Sequence, residues 1–425
     1  MLSALRWWLT LGCISFGGPA GQIAILHREL VERRKWIGER RFLHALNYCM
    51  VLPGPEAQQL ATYIGWLMHG TWGGVAAGAL FVLPSLVLLI GLSWLYVAFG
   101  TVPVVAAVLA GVKPGVVAVV IGAAWRIARR ALRGRFLPSV TALSLLAAFV
   151  APFPLIVASA ALLGWIFRRS IPPHAPHASN AQSMPAFLGD DDPPPTHAAP
   201  SFRRTLLTTA VAALLGVGGY FILDHLADGG AGPSGEGTLR DMAAFFTSAA
   251  LLTFGGAYAV IPYVFHGAVD VHHWLDAPQM LDGLALGEST PGPLIMIVAF
   301  VGYLGGVGAG SGWNDGFAAG MAGACVATFY TFLPSFLFIL VGGPLVERTR
   351  TIPAVTAPLT AITAAVVGLI LHLAFFLARH AIIDVPSGIL ALAAGVALMR
   401  FDVPIPRVLA SCALVGILRH YVGFG

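Results

Sequence analysis

Two Pro-Gly-Pro tripeptides interrupt long apolar segments of this 425-residue chain, and they are the elements most suited to bind a ligand. They are Pro53-Gly54-Pro55, within residues 43–68, and Pro291-Gly292-Pro293, within residues 281–304. Proline lacks a backbone N–H group and disfavours helix in the residue before it, so a helix must break at each tripeptide. The half-helix that follows presents amide N–H groups and the positive end of its dipole, which attract anions. The pattern predicts an anion-binding site.

A simpler explanation of each tripeptide is a packing kink, which is common in membrane helices. The paired glycines Gly17-Gly18 and Gly255-Gly256 favour the binding interpretation. They lie in the first apolar segment of each half of the chain, where the lack of a side chain lets neighbouring backbone or a ligand approach closely. Two broken segments at corresponding places in two halves are typical of a substrate site at the membrane midplane.

Three polar side chains lie beside the tripeptides. Glu56 directly follows the first one, and Glu288 and Thr290 precede the second. A carboxylate at membrane depth is costly unless it is neutralised, so Glu56 and Glu288 are predicted to carry protons. An alternative role for Glu56 is to cap the half-helix, which requires no part in transport. Thr290 offers a hydroxyl donor.

Two basic side chains are further candidates for contact with an anion. Lys113 lies within an apolar run, where it is expected to pair with the anion or with a glutamate. The alternative is that its ammonium group reaches the membrane interface. Arg33 belongs to a basic cluster at 28–41. Such a cluster sets topology, and it would also concentrate anions if it lined a vestibule.

Composition excludes most other classes of protein. The chain is 57% hydrophobic and 10% charged, with 24 Lys and Arg residues against 19 Asp and Glu residues. Soluble domains carry about 25% charged residues, so this chain has too little polar surface for a soluble enzyme or a disordered protein. Its basic residues cluster between apolar runs, so no nucleic-acid partner is expected. The cysteines and histidines match no ligand spacing and no catalytic motif is present, so we expect no metal, no cofactor and no enzymatic activity.

Apolar segments long enough to cross a ~30 Å hydrocarbon layer recur along the chain. The continuous segments lie near 5–26, 73–99, 103–125, 205–223, 241–263, 316–341 and 353–378, and interrupted ones near 43–68, 136–167, 283–308, 381–399 and 404–422. At about 20 residues for each crossing, they predict an all-α polytopic membrane protein with about ten to thirteen spans.

The chain repeats itself on either side of a polar segment. Phe16-Gly17-Gly18, Trp36 and Pro53-Gly54-Pro55 recur 238 residues later, and Leu83-Pro84-Ser85 and Val116-Val117 recur 250 residues later. The segment at 168–204 is rich in Pro, His and Asp and is predicted to be a flexible aqueous linker. We therefore predict an N-terminal repeat at 1–167, this linker, a connecting transmembrane segment and loop at 205–240, and a C-terminal repeat at 241–425.

The charges of equivalent loops favour opposite orientations of the two halves. Residues 28–41 include six Lys and Arg residues, whereas residues 266–282 include none and have three Asp residues. Positive residues concentrate in cytoplasmic loops, so the two loops are expected on opposite sides of the membrane. This predicts an inverted repeat, a plan common among secondary transporters. The inversion requires that an even number of crossings precede the segment at 205–223.

The repeated motifs resemble the signature of the chromate ion transporter family in its long, two-domain form. They are Phe16-Gly17-Gly18-Pro19, Val31, Trp36, Pro53-Gly54-Pro55 and Gly65 in the first half, and Phe254-Gly255-Gly256, Trp274 and Glu288-Ser289-Thr290-Pro291-Gly292-Pro293-Leu294 in the second. The resemblance covers nearly the whole chain outside the linker, and Glu29 and Arg33 also fall on signature positions. The second half has Ala257 where the first has Pro19, so the two half-sites are not fully equivalent.

The resemblance implies a bacterial inner-membrane protein that exports chromate from the cytoplasm, is coupled to the proton motive force and gives chromate resistance. Sulfate is the structural analogue of chromate in that family, so a sulfate carrier is one alternative and a passive anion channel is another. We expect the Phe-Gly-Gly and Pro-Gly-Pro residues to contact the oxyanion, with help from Thr290, Arg33 and Lys113. Lipid surrounds such a protein, and a homodimer is one assembly that the sequence leaves open.

Overall fold

The computed structural model describes residues 2–15, 18–132, 134–170, 186–190, 192–193, 195–199, 201–227, 238–254, 257–308, 316–346 and 356–422. Its regular elements are helices over this range, apart from an isolated bridge between Ile37 and Leu188. The first half comprises α1 (Leu2–Ile14), α2 (Gly18–His27), α3 (Glu39–Val51), α4 (Glu56–Phe99), α5 (Pro103–Ala131), α6 (Phe136–Ala147) and α7 (Phe153–Ile166).

Two connecting helices follow, α8 (Phe202–Ala213) and α9 (Gly219–Ala227), which a π-helical stretch at Leu214–Gly218 joins. The second half comprises α10 (Thr238–Leu252), α11 (Ile261–Phe265), α12 (Ala277–Ser289), α13 (Ile297–Gly308), α14 (Gly316–Val346), α15 (Thr356–Ala381), α16 (Val385–Arg400) and α17 (Ile405–Val422). The predicted all-helical fold is confirmed.

The predicted duplication is confirmed in local detail. α3 and α12 have the same length and lie 238 residues apart, and each follows a π-helical turn, at Arg28–Arg33 and His266–Val271. Lys35 and His273, two residues after these turns, both adopt the left-handed region, with φ angles of +52° and +51°. Such angles are uncommon for residues other than glycine, so their recurrence at equivalent positions reflects one ancestral structure.

Six described helices are long and apolar enough to cross a membrane. They are Glu56–Phe99, Pro103–Arg129, Phe202–His225, Gly316–Pro344, Thr360–Ala381 and Ile405–Val422. Shorter apolar helices lie at Phe136–Ala147, Phe153–Ile166, Leu294–Gly308 and Val385–Arg400. The chain is a multi-pass helical membrane protein.

Several segments that the sequence predicts as single spans are divided in the structure. In the segments at 5–26 and 241–263, the first helix ends directly before the Phe-Gly-Gly motif. The segment at 136–167 forms two helices, α6 and α7. α4 runs from the first tripeptide to Phe99, but its backbone is non-helical at His69 and Gly70, so it consists of two helices that meet between the predicted segments 43–68 and 73–99. Glycine and proline interrupt helices locally, which hydropathy over a long window does not detect.

The halves are interlocked. α5 of the first half packs against α15, α16 and α17, and α15 of the second half packs against α5, α6 and α7. Small residues allow the close approach, since a Cβ atom added to Gly111 of α5 would collide with the backbone of α17 at Cys412 and Gly416. The two halves therefore share one core, and the long helices α4 and α14 pack together beside it.

The second part of the predicted aqueous linker packs on the first half. The N–H groups of Phe187 and Leu188 donate to the carbonyl oxygens of Lys35 and Trp36, at 2.8 and 3.0 Å. The carboxylate of Asp190 accepts from the N–H of Arg41 at 3.0 Å. This differs from the prediction of a flexible segment throughout 168–204, because composition does not reveal backbone pairing with a distant loop.

Candidate functional site at the two broken helices

The backbone leaves the helical conformation at both tripeptides, as the sequence predicts. α3 ends before the first tripeptide and α4 begins directly after it, while α12 ends before the second and a 3-10 turn at Leu294–Met296 leads into α13. Gly54 and Gly292 have φ angles of +124° and +110°. Residues with a Cβ atom rarely adopt such angles, so both turns require glycine.

The glycine of each tripeptide is hydrogen-bonded to the other half of the protein. The N–H of Gly54 donates to the carbonyl oxygen of Thr253 at 2.8 Å, and the N–H of Gly292 donates to the carbonyl oxygen of Ser15 at 2.8 Å. Ser15 and Thr253 occupy equivalent positions, directly before the Phe-Gly-Gly motif of each half. This crossed pair of hydrogen bonds joins the broken helix of each half to the end of the first helix in the other half.

The pairing changes which amide groups can reach an anion. Sequence reasoning placed the anion donors at Gly54 and Gly292, but their N–H groups already have carbonyl partners. The first helical bond of α4 runs from the N–H of Gln59 to the carbonyl oxygen of Pro55. The N–H groups of Ala57 and Gln58 therefore lie in the first turn, where the helix itself supplies no acceptor.

Two serines, which sequence reasoning used only as markers of the repeat, contact the tripeptide glycines. A Cβ atom added to Gly54 would collide with the hydroxyl of Ser335, and one added to Gly292 would collide with the side chain of Ser85. Ser85 and Ser335 are equivalent residues in the repeated Leu-Pro-Ser motif, and they are 1% and 0% exposed. Within the described chain, neither hydroxyl has a hydrogen-bond partner.

Two glutamines hold the tripeptides in place, and they act on different halves. The side-chain amide of Gln22 donates to the carbonyl oxygen of Gly292 at 2.5 Å. The amide of Gln59 donates to the carbonyl oxygen of Pro53 at 2.7 Å. The residues equivalent to Gln22 and Gln59 are Val260 and Ile297, so the two half-sites differ in polarity, beyond the Pro19 and Ala257 difference seen in the sequence.

Glu288 is buried near the contact between the halves. The hydroxyl of Tyr258 donates to its Oε1 at 2.6 Å, and Glu288 is 6% exposed. Gly18, with a φ angle of +70°, lies where an added Cβ atom would be 3.9 Å from the ring of Tyr258. Tyr258 therefore lies between Gly18 of the first half and the buried carboxylate of the second.

The other polar candidates beside the tripeptides have ordinary local roles in this structure. Glu56 is the first residue of α4 and is half-buried, a position that suits a carboxylate at the positive end of the helix dipole. The hydroxyl of Thr290 donates to the carbonyl oxygen of Gly287 at 3.1 Å. Its donor is therefore used within its own helix end.

Lys113 pairs with an aspartate that sequence reasoning did not select. The ammonium group of Lys113 lies 3.3 Å from Oδ2 of Asp282, which also accepts from the hydroxyl of Tyr96 at 3.0 Å. Asp282 is 3% exposed and lies on α12, six residues before Glu288 or about 9 Å along the helix. Its presence within an apolar stretch of α12 was the available sequence signal.

Arg33 does not join the tripeptides. It lies on the π-helical turn Arg28–Arg33 and pairs with Glu29 at 2.8 Å, and its side chain is largely exposed. That position suits the topology role rather than direct contact with a ligand. Of the glycines in the two Phe-Gly-Gly motifs, Gly17, Gly255 and Gly256 lie outside the described residues.

The two halves of the site correspond to one known family. A family model described as chromate transporter matches residues 2–165 and 240–417. The chain belongs to the chromate transporter family. The two matched regions are the two homologous halves, and each contains one tripeptide and one Leu-Pro-Ser motif. The family resemblance inferred from the paired motifs is confirmed.

Relatives in the chromate transporter family align with nearly the whole chain. The chain is 29% identical over 420 residues to a chromate transport protein of Cupriavidus metallidurans, which covers 98% of this chain and 92% of that protein. It is 33% identical over 397 residues to a chromate transport protein of Pseudomonas aeruginosa, covering 92% and 85% of the two chains. A probable chromate transport protein of Synechococcus elongatus is 27% identical over 419 residues, which cover 97% of this chain and 94% of that protein. No solved structure matches the chain.

Proposed function

We propose that this protein is a secondary active transporter that exports chromate from the cytoplasm, exchanges it for protons and thereby gives chromate resistance. The crossed hydrogen bonds from Gly54 to Thr253 and from Gly292 to Ser15 carry the proposal. They join the broken helix of each half to the end of the first helix in the other half, and broken helices at the interface of two repeats are where secondary transporters bind their substrates. Relatives named chromate transport proteins support chromate as the substrate.

Movement of one half against the other would expose the two broken helices in turn. The first-turn N–H groups of α4, at Ala57 and Gln58, would donate to oxyanion oxygens once the halves separate on that side. The turn at Leu294–Met296 would do the same in the second half. Cationic side chains are expected to attract the anion from a distance, while amide donors fix its position.

Glu288 is the proposed proton carrier, with Glu56 as the second candidate. An ionised carboxylate in a buried site costs free energy unless hydrogen bonds or a cation compensate it. Tyr258 supplies one such hydrogen bond. Uptake of a proton would remove the charge and the need for that donor, and so would alter a contact that lies beside Gly18 of the other half.

The proposed topology is an inverted repeat in the bacterial inner membrane, made of the halves 1–167 and 241–425. The basic stretch at 28–41 would face the cytoplasm, and the stretch at 266–282, which has no Lys or Arg, would face the opposite side. The linker at 168–204 and the segment at 205–240 would connect the halves. The mass of the protein in detergent tests assembly as a homodimer.

Uptake of labelled chromate into inside-out vesicles tests the proposal. Vesicles with this protein should accumulate chromate when a proton gradient is imposed and should lose that accumulation when a protonophore is added. Excess unlabelled sulfate ranks the two oxyanions by competition. Uptake that persists without any gradient would indicate a passive channel, and uptake of labelled sulfate without chromate would indicate a sulfate carrier.

A further inference from the structure

Ser85 of α4 and Ser335 of α14 are buried without a hydrogen-bond partner among the described residues, as is Thr328 of α14, but only the two serines lie against the tripeptide glycines. Ser93 of α4 and Thr331 of α14 are fully buried, and their hydroxyls donate to the carbonyl oxygens of Leu89 and Ala327 at 2.6 and 2.7 Å. The hydroxyls of Ser85 and Ser335 have no partner among the described residues. Burying an unpaired hydroxyl costs free energy, so each such group needs an explanation, and a bound ion is one of them.

The two unpaired hydroxyls point at the same place in each half. Ser335 of the second half lies against Gly54 of the first, and Ser85 of the first half lies against Gly292 of the second. Each hydroxyl is therefore beside the first turn of a broken helix, where N–H groups also lack helical acceptors. Because the arrangement recurs at equivalent positions in the two halves, chance packing does not explain both unpaired hydroxyls.

We infer that Ser85 and Ser335 are ligand-binding residues whose hydroxyls donate to the oxygens of a tetrahedral oxyanion. Each binding half-site is composite, because one half supplies the broken helix and the other supplies the serine. This inference rests on the proposed function and adds the side chains that recognise the anion. Hydroxyl and amide donors suit an oxyanion, which presents acceptor oxygens in several directions.

The close contacts of Ser335 with Gly54 and of Ser85 with Gly292 restrict the conformation in which the anion can bind. A methyl group at either glycine would overlap the serine, so the two residues lie at van der Waals contact in this conformation. An anion must therefore enter each half-site as the serine and the glycine separate. The composite design links binding to that movement, since the two donors of one half-site belong to different halves.

Binding and stability measurements on serine variants test the inference. The variants are Ser85→Ala and Ser335→Ala, and the matched controls are Ser93→Ala and Thr331→Val, which remove hydroxyls that have helical partners. Labelled chromate and sulfate are bound to detergent-purified protein, and the melting temperature is measured without either anion. Hydrogen bonds to charged groups contribute more to affinity than those between neutral groups. Each serine variant should therefore bind the labelled anions about tenfold more weakly.

The two readouts separate a binding role from a structural one. The serine variants should keep the melting temperature of the anion-free wild type, because their hydroxyls bond nothing there, whereas the controls should bind normally. Wild-type affinity in both serine variants would overturn the inference and leave the proposed function intact. A fall in anion-free melting temperature as large as that of the controls would also overturn it. Failure of the wild-type protein to bind either anion would overturn both proposals.

Discussion

The backbone amide of Gly54 donates a 2.8 Å hydrogen bond to the carbonyl oxygen of Thr253, which lies 199 residues further along the chain. Its counterpart, from Gly292 to Ser15, has the same length. A broken helix usually leaves backbone groups that need partners. Here each break in one half is satisfied by the break in the other, so neither half is complete without its partner.

Replacing either tripeptide glycine should damage the fold at the crossing. Gly54→Ala and Gly292→Ala force a Cβ atom into a left-handed turn and into Ser335 or Ser85, which should cost about 1–3 kcal/mol of stability each. Gly91→Ala is the matched control, because that glycine lies within α4 with no atom near its Cβ position. Thermal unfolding in detergent measures the difference. Equal melting temperatures for Gly54→Ala and Gly91→Ala would contradict the prediction.

Removing the charge of Glu288 should uncouple transport from protons. Glu288→Gln keeps the shape of the side chain but cannot take up a proton, so chromate uptake into inside-out vesicles should fall to the level seen without a gradient. Asp270→Asn is the control, since Asp270 is exposed and pairs with its near neighbour His266 at 2.9 Å. If glutamine at both Glu56 and Glu288 leaves gradient-driven uptake unchanged, neither residue is the coupling site.

The pair of Lys113 and Asp282 should contribute to stability as a unit. Lys113→Met leaves Asp282 buried without its cation, which should cost roughly 3–5 kcal/mol. The double variant Lys113→Met with Asp282→Leu removes both charges and should recover most of that loss. Melting temperatures of the two single variants and the double variant form a mutant cycle. Additive effects would mean that the ion pair does not couple the residues.

Neutralising Asp190 should release the packed part of the linker. Its carboxylate lies at the N-terminus of α3, where it accepts from the N–H of Arg41 and lies 3.6 Å from Arg40. Asp190→Asn should weaken this contact by about 1 kcal/mol and raise amide hydrogen exchange at residues 186–190. The exchange rates within α12 serve as an internal reference. Unchanged exchange at 186–190 would show that the Asp190 carboxylate does not hold the segment, which would leave the backbone pairing and the hydrogen bond from Arg41 to the carbonyl oxygen of Gly189.

Local chemistry explains what the sequence revealed. The tripeptides predict broken helices because two prolines flank one glycine, whereas α4, α5 and α14 continue through the single prolines Pro84, Pro114 and Pro334. The Phe-Gly-Gly and Pro-Gly-Pro motifs also sufficed to place the chain in its family. Composition and the length of the apolar segments predicted a polytopic helical protein, because such segments are stable only in the hydrocarbon layer of a membrane.

The partners of these groups were decided by tertiary structure alone. Lys113 could have paired with an anion or a glutamate by sequence reasoning, yet it pairs with Asp282 because α5 and α12 pack side by side. The sequence did not indicate the contacts of the serines in the Leu-Pro-Ser motif. These contacts depend on the packing of the two halves, which places each serine against the tripeptide glycine of the other half. Covalent geometry fixes where a helix must break, but which groups meet at the break depends on packing between segments far apart in the chain.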